Sequence, residues 1–290
     1  MSNLAFFLIL FSALMHALWN LLVKQSRDKT AFIWWMFFCS ASLFTLVIGG
    51  LPGEFPPLTS RYLLLGALGA ICFVFYHLFT GRAYREGDLS MTYPLAQTAM
   101  LYVPLWGFLL FGEKFSPTGM AGILLIAFGA YCVQLTSFSL RELFRPFCSL
   151  GNISVQAALG AGLVYSFGAV VDKTGVREFD PLHFTYVLVL FMLLFMTANL
   201  LRPGQRGRIL AEWYNNRKLV LWSGPVMLCS FLSFRYGLQL SPMSYAVPVR
   251  QASLLIAVLI GVLFLGERCG RIRFASTMLI LAGVVLVRIG

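Results

Sequence analysis

Charged residues are scarce in this 290-residue chain. Only 11% of the residues are Asp, Glu, Lys or Arg, whereas 59% are hydrophobic, and the mean hydropathy is +0.81. Soluble globular domains carry about one quarter charged residues, so this composition excludes a water-soluble fold around one apolar core. The chain is predicted to be a multi-pass integral membrane protein, with membrane lipid as its solvent and a bacterial inner or plasma membrane as its location.

Acidic residues are the scarcest charged type, with 11 against 22 basic residues and a formal net charge of +11. A basic excess can indicate nucleic-acid binding. Here, however, the basic residues stand in short clusters between apolar runs, as expected for the anchors that set membrane topology. The six cysteines form no CxxC pair and no metal-ligand spacing. We therefore expect no nucleic-acid partner, no metal and no cofactor.

No stretch of the chain is left over for a soluble domain. Apolar windows of about 20 residues are long enough to cross a bilayer as helices. The first window lacks the basic start of a signal peptide and is kept as a span. Ten windows are predicted to span: 3–23, 31–50, 62–81, 89–111, 117–137, 151–171, 182–201, 218–238, 243–265 and 272–289.

The two halves of the chain repeat one another. A shift of 154 residues superposes three polar or proline positions and a Gly-Glu pair, namely Ser90, Pro94, Gln97 and Gly112-Glu113 on Ser244, Pro248, Gln251 and Gly266-Glu267. A shift of 149 places Lys24 on Lys173 and His16 on Tyr165. Five helices per half would invert the second half. We predict an all-α membrane protein of ten transmembrane helices in two inverted five-helix repeats, residues 1–140 and 150–290. Inverted repeats are typical of secondary transporters, with the substrate site between the repeats.

Three segments carry a resemblance to a known family. They are "HALWNLLVK" at the end of the first span, "MTYPLAQTAMLYVPLWGFLLFGEKF" in the fourth and "MSYAVPVRQASLLIAVLIGVLFLGERC" in the ninth. Together they resemble the ten-helix EamA family of the drug/metabolite transporter superfamily. The resemblance implies a transporter rather than an enzyme. It also implies a central cavity lined by helices 1, 3, 4, 6, 8 and 9, with helices 5 and 10 at the periphery.

Polar and aromatic side chains inside the spans are the candidate substrate-binding residues. We predict that ten of them line the cavity: His16, Trp19, Asn20, Tyr76, His77, Tyr93, Gln97, Tyr165, Arg250 and Gln251. Neutral and cationic donors suit a substrate with a carboxylate, phosphate or phosphonate group. The histidines are candidates for proton coupling because imidazole titrates near neutral pH. Packing against a neighbouring helix is the alternative for His16 and His77.

All eleven acidic residues are expected in loops or at helix ends. A buried carboxylate of the kind that binds cationic drugs in related four-helix exporters is therefore expected to be absent. Glu113 and Glu267 are expected to form ion pairs with their neighbours Lys114 and Arg268 at the membrane surface.

Arg250 stands between the duplicated Pro248 and Gln251, where the first half has Ala96. A charge inside a span is costly and indicates a functional site. We expect Arg250 to face the cavity and contact an anionic group; the alternative is that it extends to the membrane interface. Pro94 and Pro248 are expected to interrupt their helices just before each proline, although a simple kink is the other interpretation.

The predicted function is secondary transport, with export of a small amino-acid-like or anionic metabolite by alternating access. The alternatives are a flippase for a lipid-linked substrate and a broad drug exporter. The expected partners are a small-molecule solute, membrane lipid and protons as a candidate coupling ion, in a monomer or a homodimer. Most basic loop residues follow odd-numbered spans, which favours both termini outside the cytoplasm, whereas the resemblance favours both inside.

Overall fold

The chain is helical in a computed structural model that describes all residues except 87, 88, 134, 136, 138, 201–205 and 266–269. The helices are α1 Asn3–Gln25, α2 Lys29–Gly50, α3 Ser60–Glu86, α4 Leu89–Ala96, α5 Ala99–Phe111, α6 Pro117–Cys132, α7 Leu140–Cys148, α8 Ile153–Glu178, α9 Pro181–Leu200, α10 Arg206–Gln239, α11 Met243–Arg250, α12 Ala252–Leu265 and α13 Arg271–Ile289.

The predicted ten spans are present among these helices. Within the described residues, eight segments are long and apolar enough to cross a membrane, and α5 and α6 are shorter apolar helices. The fourth span consists of α4 and α5, and the ninth of α11 and α12. Helix α7 joins the two halves. Its Leu140, Phe144 and Phe147 lie one helical turn apart and are exposed, as expected of an amphipathic helix that lies along a membrane surface.

The helix contacts follow the inverted repeat. Helix α3 packs on α8, and its counterpart α10 packs on α1. Helices α6 and α13, which are equivalent to each other, pack together at the periphery.

The two ends of the bundle carry different connections. We call the end that carries the loops after α1, α3, α7 and α9 the basic face. We call the end that carries both termini the terminal face; there Arg288 donates to the Met1 carbonyl oxygen at 3.2 Å.

The connection between the seventh and eighth predicted spans is helical from Arg206 onward. Helix α10 begins at Arg206 and bends at Asn216, where φ is −134° and ψ is 27°. Its first section is fixed to the start of α2 because Arg208 donates to both carboxylate oxygens of Asp28. Asp28 also accepts from the Thr30 and Ala31 amides and so caps α2. The Arg208 guanidinium holds the pKa of Asp28 below its ordinary value.

Glycines permit the close contact between α6 and α13. A Cβ added at Gly283 would lie 2.6 Å from the Gly122 carbonyl oxygen, and one added at Gly122 would lie 2.7 Å from the Gly283 carbonyl oxygen. Backbone lies on both sides, so no side-chain rotation relieves the overlap. Small residues at helix crossings have this role in membrane proteins.

Replacing Gly283 with alanine is expected to destabilise the protein by about 2 kcal/mol, because the two backbones must move apart. Thermal unfolding of the detergent-solubilised protein measures the effect. Gly81→Ala on α3 is the matched control, since no described atom of a neighbouring element lies within 4 Å of its added Cβ. The control is expected to leave the unfolding temperature unchanged or higher. Equal unfolding temperatures for the two variants would contradict the role of Gly283.

Candidate functional site

A cavity of about 490 Å³ lies at the centre of the bundle between the two repeats. This volume falls in the range of small-molecule sites. All ten residues predicted from the sequence line it: His16, Trp19, Asn20, Tyr76, His77, Tyr93, Gln97, Tyr165, Arg250 and Gln251. Helices 1, 3, 4, 6, 8 and 9 contribute as expected. Leu188 and Met192 show that the seventh span, α9, contributes as well.

Aromatic rings form much of the wall. On α1, His16 packs edge-on against Trp19 at 4.8 Å between centroids, and Trp19 contacts Phe231 of α10 at 5.7 Å. On α3, His77 packs against Phe73 at 4.2 Å and Tyr76 at 5.3 Å. These contacts hold both imidazole rings in fixed orientations at the cavity surface. His16 and His77 therefore pack against aromatic rings and also line the cavity, so the two interpretations are compatible.

The fourth and ninth spans are interrupted at equivalent positions. The Gln251 side-chain amide donates to the Gln97 side-chain oxygen at 3.1 Å, so the two equivalent glutamines meet between the repeats. The breaks lie at the glutamines, three residues after each proline, and the expectation of a break before the proline was wrong. The Gln251 amide donates to the Pro248 carbonyl, and the Leu254 amide to the Gln251 carbonyl, so tight turns replace one turn of helix.

Arg250 is the last residue of α11 and faces the cavity, as predicted. Its guanidinium lies 4.2 Å from the centre of the Phe234 ring, a cation–π distance. Its Nη2 is 3.5 Å from the Ser230 hydroxyl oxygen, and the Tyr165 phenol lies beside it. Its Nε is buried and has no hydrogen-bond partner among the described residues. These contacts orient the guanidinium and leave a donor for a ligand.

An ion pair in the cavity was missed by the sequence analysis. Asp172 accepts two hydrogen bonds from Arg235 Nη2, at 2.9 and 3.1 Å, and both residues line the cavity. The expectation that all acidic residues lie in loops or at helix ends was wrong for Asp172, because α8 continues to Glu178 instead of ending near 171. The residue spacing along α8 could have indicated that Asp172 lines the cavity. Asp172 follows Tyr165 by seven residues and Ala169 by three, which places all three on one helix face.

Glu113 was also assigned the wrong partner. Its carboxylate accepts the Met243 amide at 2.7 Å and the Ser244 amide at 3.0 Å, together with the Ser244 hydroxyl, so it caps α11 and does not pair with Lys114. The equivalent Glu267 and its neighbour Arg268 lie outside the described residues.

The comparisons with known proteins agree with this architecture. The profile of the EamA-like transporter family matches residues 3–135 and 152–289, one match in each half. The chain belongs to the EamA-like transporter family. One solved crystal structure superposes on 100% of this chain over 98% of its own length, with a TM-score of 0.72. At 15% sequence identity, this likeness shows the fold alone. No curated protein matches the chain.

Membership in this family makes the protein a multi-pass membrane transporter of the drug/metabolite transporter superfamily. Its substrate is a small-molecule solute, and lipid surrounds it. The central cavity of this EamA-like transporter contains several unsatisfied polar atoms. Within the part of the chain that the structure describes, five lining residues have a buried side-chain atom without a hydrogen-bond partner: His16, His77, Thr80, Arg235 and Arg250. Buried polar groups in proteins are nearly always paired, so this concentration indicates a place that a ligand or water occupies.

The cavity lining of the EamA-like transporter is more exposed toward the basic face. Asn20 on α1 is exposed, whereas Ala169, the equivalent residue on α8, is only 7% exposed. Likewise Thr80 is half-buried and its equivalent Phe234 is buried, with 3% exposure. In each pair the more exposed member lies toward the basic face and the buried one toward the terminal face, which indicates that the cavity is more accessible from the basic face.

Proposed function

We propose that this EamA-like transporter exports a small anionic or amino-acid-like metabolite by alternating access. One observation carries the proposal: Arg250 lies half-buried at the cavity wall with a buried, unpaired Nε and no salt bridge to a described residue. A guanidinium withdrawn from water without a counterion is unfavourable. An anionic substrate group supplies that counterion through charge-assisted hydrogen bonds.

The charges around the cavity support an anion over a cation. The described side chains that line it include two arginines, Arg235 and Arg250, and one carboxylate, Asp172, which gives a net charge of +1 with neutral histidines. Asp172 is already bound by Arg235. A lipophilic cation would therefore find no free carboxylate among these residues, which disfavours a broad exporter of cationic drugs.

The exposure of the cavity lining supports export as the direction of transport. Basic loops lie on the cytoplasmic side of membrane proteins, and the lining is more exposed toward the basic face. A cavity that faces the cytoplasm takes up its substrate there, as an exporter requires. The sequence contains no Walker motif, so the driving force comes from a solute or ion gradient.

Flux in proteoliposomes tests the proposal. The purified protein is reconstituted, and the release of preloaded carboxylates, phosphonates, amino acids and one lipophilic cation is followed, with a fluorescent lipid-linked sugar as a separate probe. Saturable, stereospecific flux of a water-soluble anion or amino acid is expected. Flux of the cation alone would overturn the proposal, and scrambling of the lipid-linked sugar alone would identify a flippase.

Proton coupling is predicted to depend on His16 and His77, whose Nδ1 and Nε2 atoms respectively have no partner in the cavity wall. Replacing each histidine with glutamine keeps a polar side chain and removes titration. The expected result is that flux loses its dependence on an imposed pH gradient in at least one variant. Gln156→Glu, at an exposed position, is a control for charge changes outside the cavity. Retained pH dependence in both histidine variants and in the double variant would exclude the histidines.

A further inference from the structure

Glu113 connects the two repeats at the terminal face. It follows α5 of the first repeat directly after Gly112, yet its carboxylate binds the first backbone amides of α11 in the second repeat. A carboxylate at a helix N-terminus satisfies free N–H groups and interacts favourably with the helix dipole. The start of α11 is thereby held at a fixed distance from the end of α5.

Lys173, on α8, binds the same region from a third helix. Its ammonium donates to the carbonyl oxygens of Leu238 at 2.8 Å and Ser241 at 2.7 Å, and the residue is only 7% exposed. These carbonyls lie in the last turn of α10 and the connection to α11. Helix α8, which carries Lys173, also carries the cavity residue Asp172. Lys173 and Glu113 therefore hold the two sides of one connection.

The segment that they hold carries the candidate anion site. Helix α11 has eight residues, which is about 12 Å of helix, and its first seven residues are buried. Arg250 is its last residue and Gln251 follows it. Because α11 is short and a tight turn at Gln251 separates it from α12, the placement of its first turn also decides the placement of Arg250.

We propose that Glu113 and Lys173 form a latch that positions α11, keeps the terminal face closed and is released when the cavity opens to that face. The proposal rests on the alternating access described under the proposed function, and it adds that the release of α11 controls it. Arg250 enters and leaves its position beside Phe234 with this movement. Glu113 and Lys173 are positioning residues in this proposal, because neither one lines the cavity.

Access to Cys72 measures the latch without any substrate. Cys72 lines the cavity and is a free cysteine. A protein that keeps Cys72 alone, with the other five cysteines changed to serine, is labelled with a membrane-impermeant thiol reagent applied to either face of membrane vesicles. An N-terminal epitope tag identifies the terminal face. In the parent protein, labelling is expected mainly from the basic face.

Glu113→Ala is expected to increase the rate of labelling from the terminal face by at least about tenfold, since hydrogen bonds to a charged group are lost. Glu113→Gln, which keeps an acceptor, is expected to lie between the parent and the alanine variant. Lys173→Met is expected to act in the same direction. Lys114→Met, at an exposed neighbouring charge, is the matched control and is expected to match the parent.

Folding is checked by gel filtration and thermal unfolding, and variants with parental profiles are compared. If Glu113→Ala does not fold, Glu113→Gln and Lys173→Met give the answer. Unchanged labelling from the terminal face in the folded variants would overturn the latch and leave Glu113 as a purely structural cap. Failure of the anion proposal shows itself in the flux assay, so the two outcomes remain distinguishable.

Discussion

Replacing Arg250 with glutamine is expected to reduce flux of the transported anion by at least about 100-fold, the equivalent of 2.7 kcal/mol, which is within the range for a lost hydrogen-bonded charge contact. Glutamine is shorter than arginine but keeps a polar, hydrogen-bonding group on the side of the cavity that holds the Ser230 hydroxyl and the Tyr165 phenol. It removes the positive charge beside Phe234 and, with it, the counterion for the substrate. Flux and equilibrium binding of the same substrate measure the effect.

Arg141→Gln is the matched control for this substitution. Arg141 is an exposed arginine on α7 and does not line the cavity, so flux is expected to stay within a factor of about two, as for surface charges generally. Parental flux in a folded Arg250→Gln protein would instead show that Arg250 is a structural residue. Its position over Phe234 within the bundle already disfavours the interpretation that it extends to the membrane interface.

The ten spans and the inverted repeat could be predicted because they depend on properties that are local in the sequence. Apolar windows show the spans directly, and the recurrence of Pro94, Gln97 and Glu113 at one offset shows the duplication. The cavity residues followed from the same reasoning, because polar groups inside spans avoid lipid and collect between helices. All ten predicted residues line the cavity. Their participation in binding stays a prediction.

The polar contacts between distant elements could not be predicted from local pattern. Asp172 comes directly after an apolar run and before Lys173, so its position suggested the end of a span. Its partner Arg235 is 63 residues away, and only the packing of α8 on α10 brings the two together. Glu113 presented the same difficulty, because the adjacent Lys114 offered a simple partner, whereas the observed amides of α11 belong to the other repeat.

The breaks of the fourth and ninth spans were displaced from their predicted positions for a related reason. A proline removes one backbone donor and disfavours the helix before it, which indicates a break at Pro94 and Pro248. Within the bundle the helices instead end at Gln97 and Gln251, where the two side-chain amides bind each other. This contact exists only when both repeats are assembled, so one repeat read alone does not indicate it.

Replacing Asp172 with asparagine is expected to destabilise the protein by about 2–3 kcal/mol, because Arg235 is then left as a buried charge without its partner. The side chain of Arg235 is only 4% exposed and that of Asp172 is 18% exposed. The partial exposure of Asp172 reduces the penalty below that of a fully buried pair. The midpoint of thermal unfolding in detergent is expected to fall, and binding of anions is expected to persist because Arg250 is unchanged.

The double variant Asp172→Asn with Arg235→Gln separates the ion pair from the two individual side chains. If the stability lost by Asp172→Asn comes from the unpaired Arg235, removing that charge as well is expected to recover at least about half of it, since paired buried charges show large coupling energies. Additive losses in the double variant would contradict the pairing. Recovery of stability together with retained anion flux would show that the pair supports the cavity, whereas Arg250 provides the charge that the substrate needs.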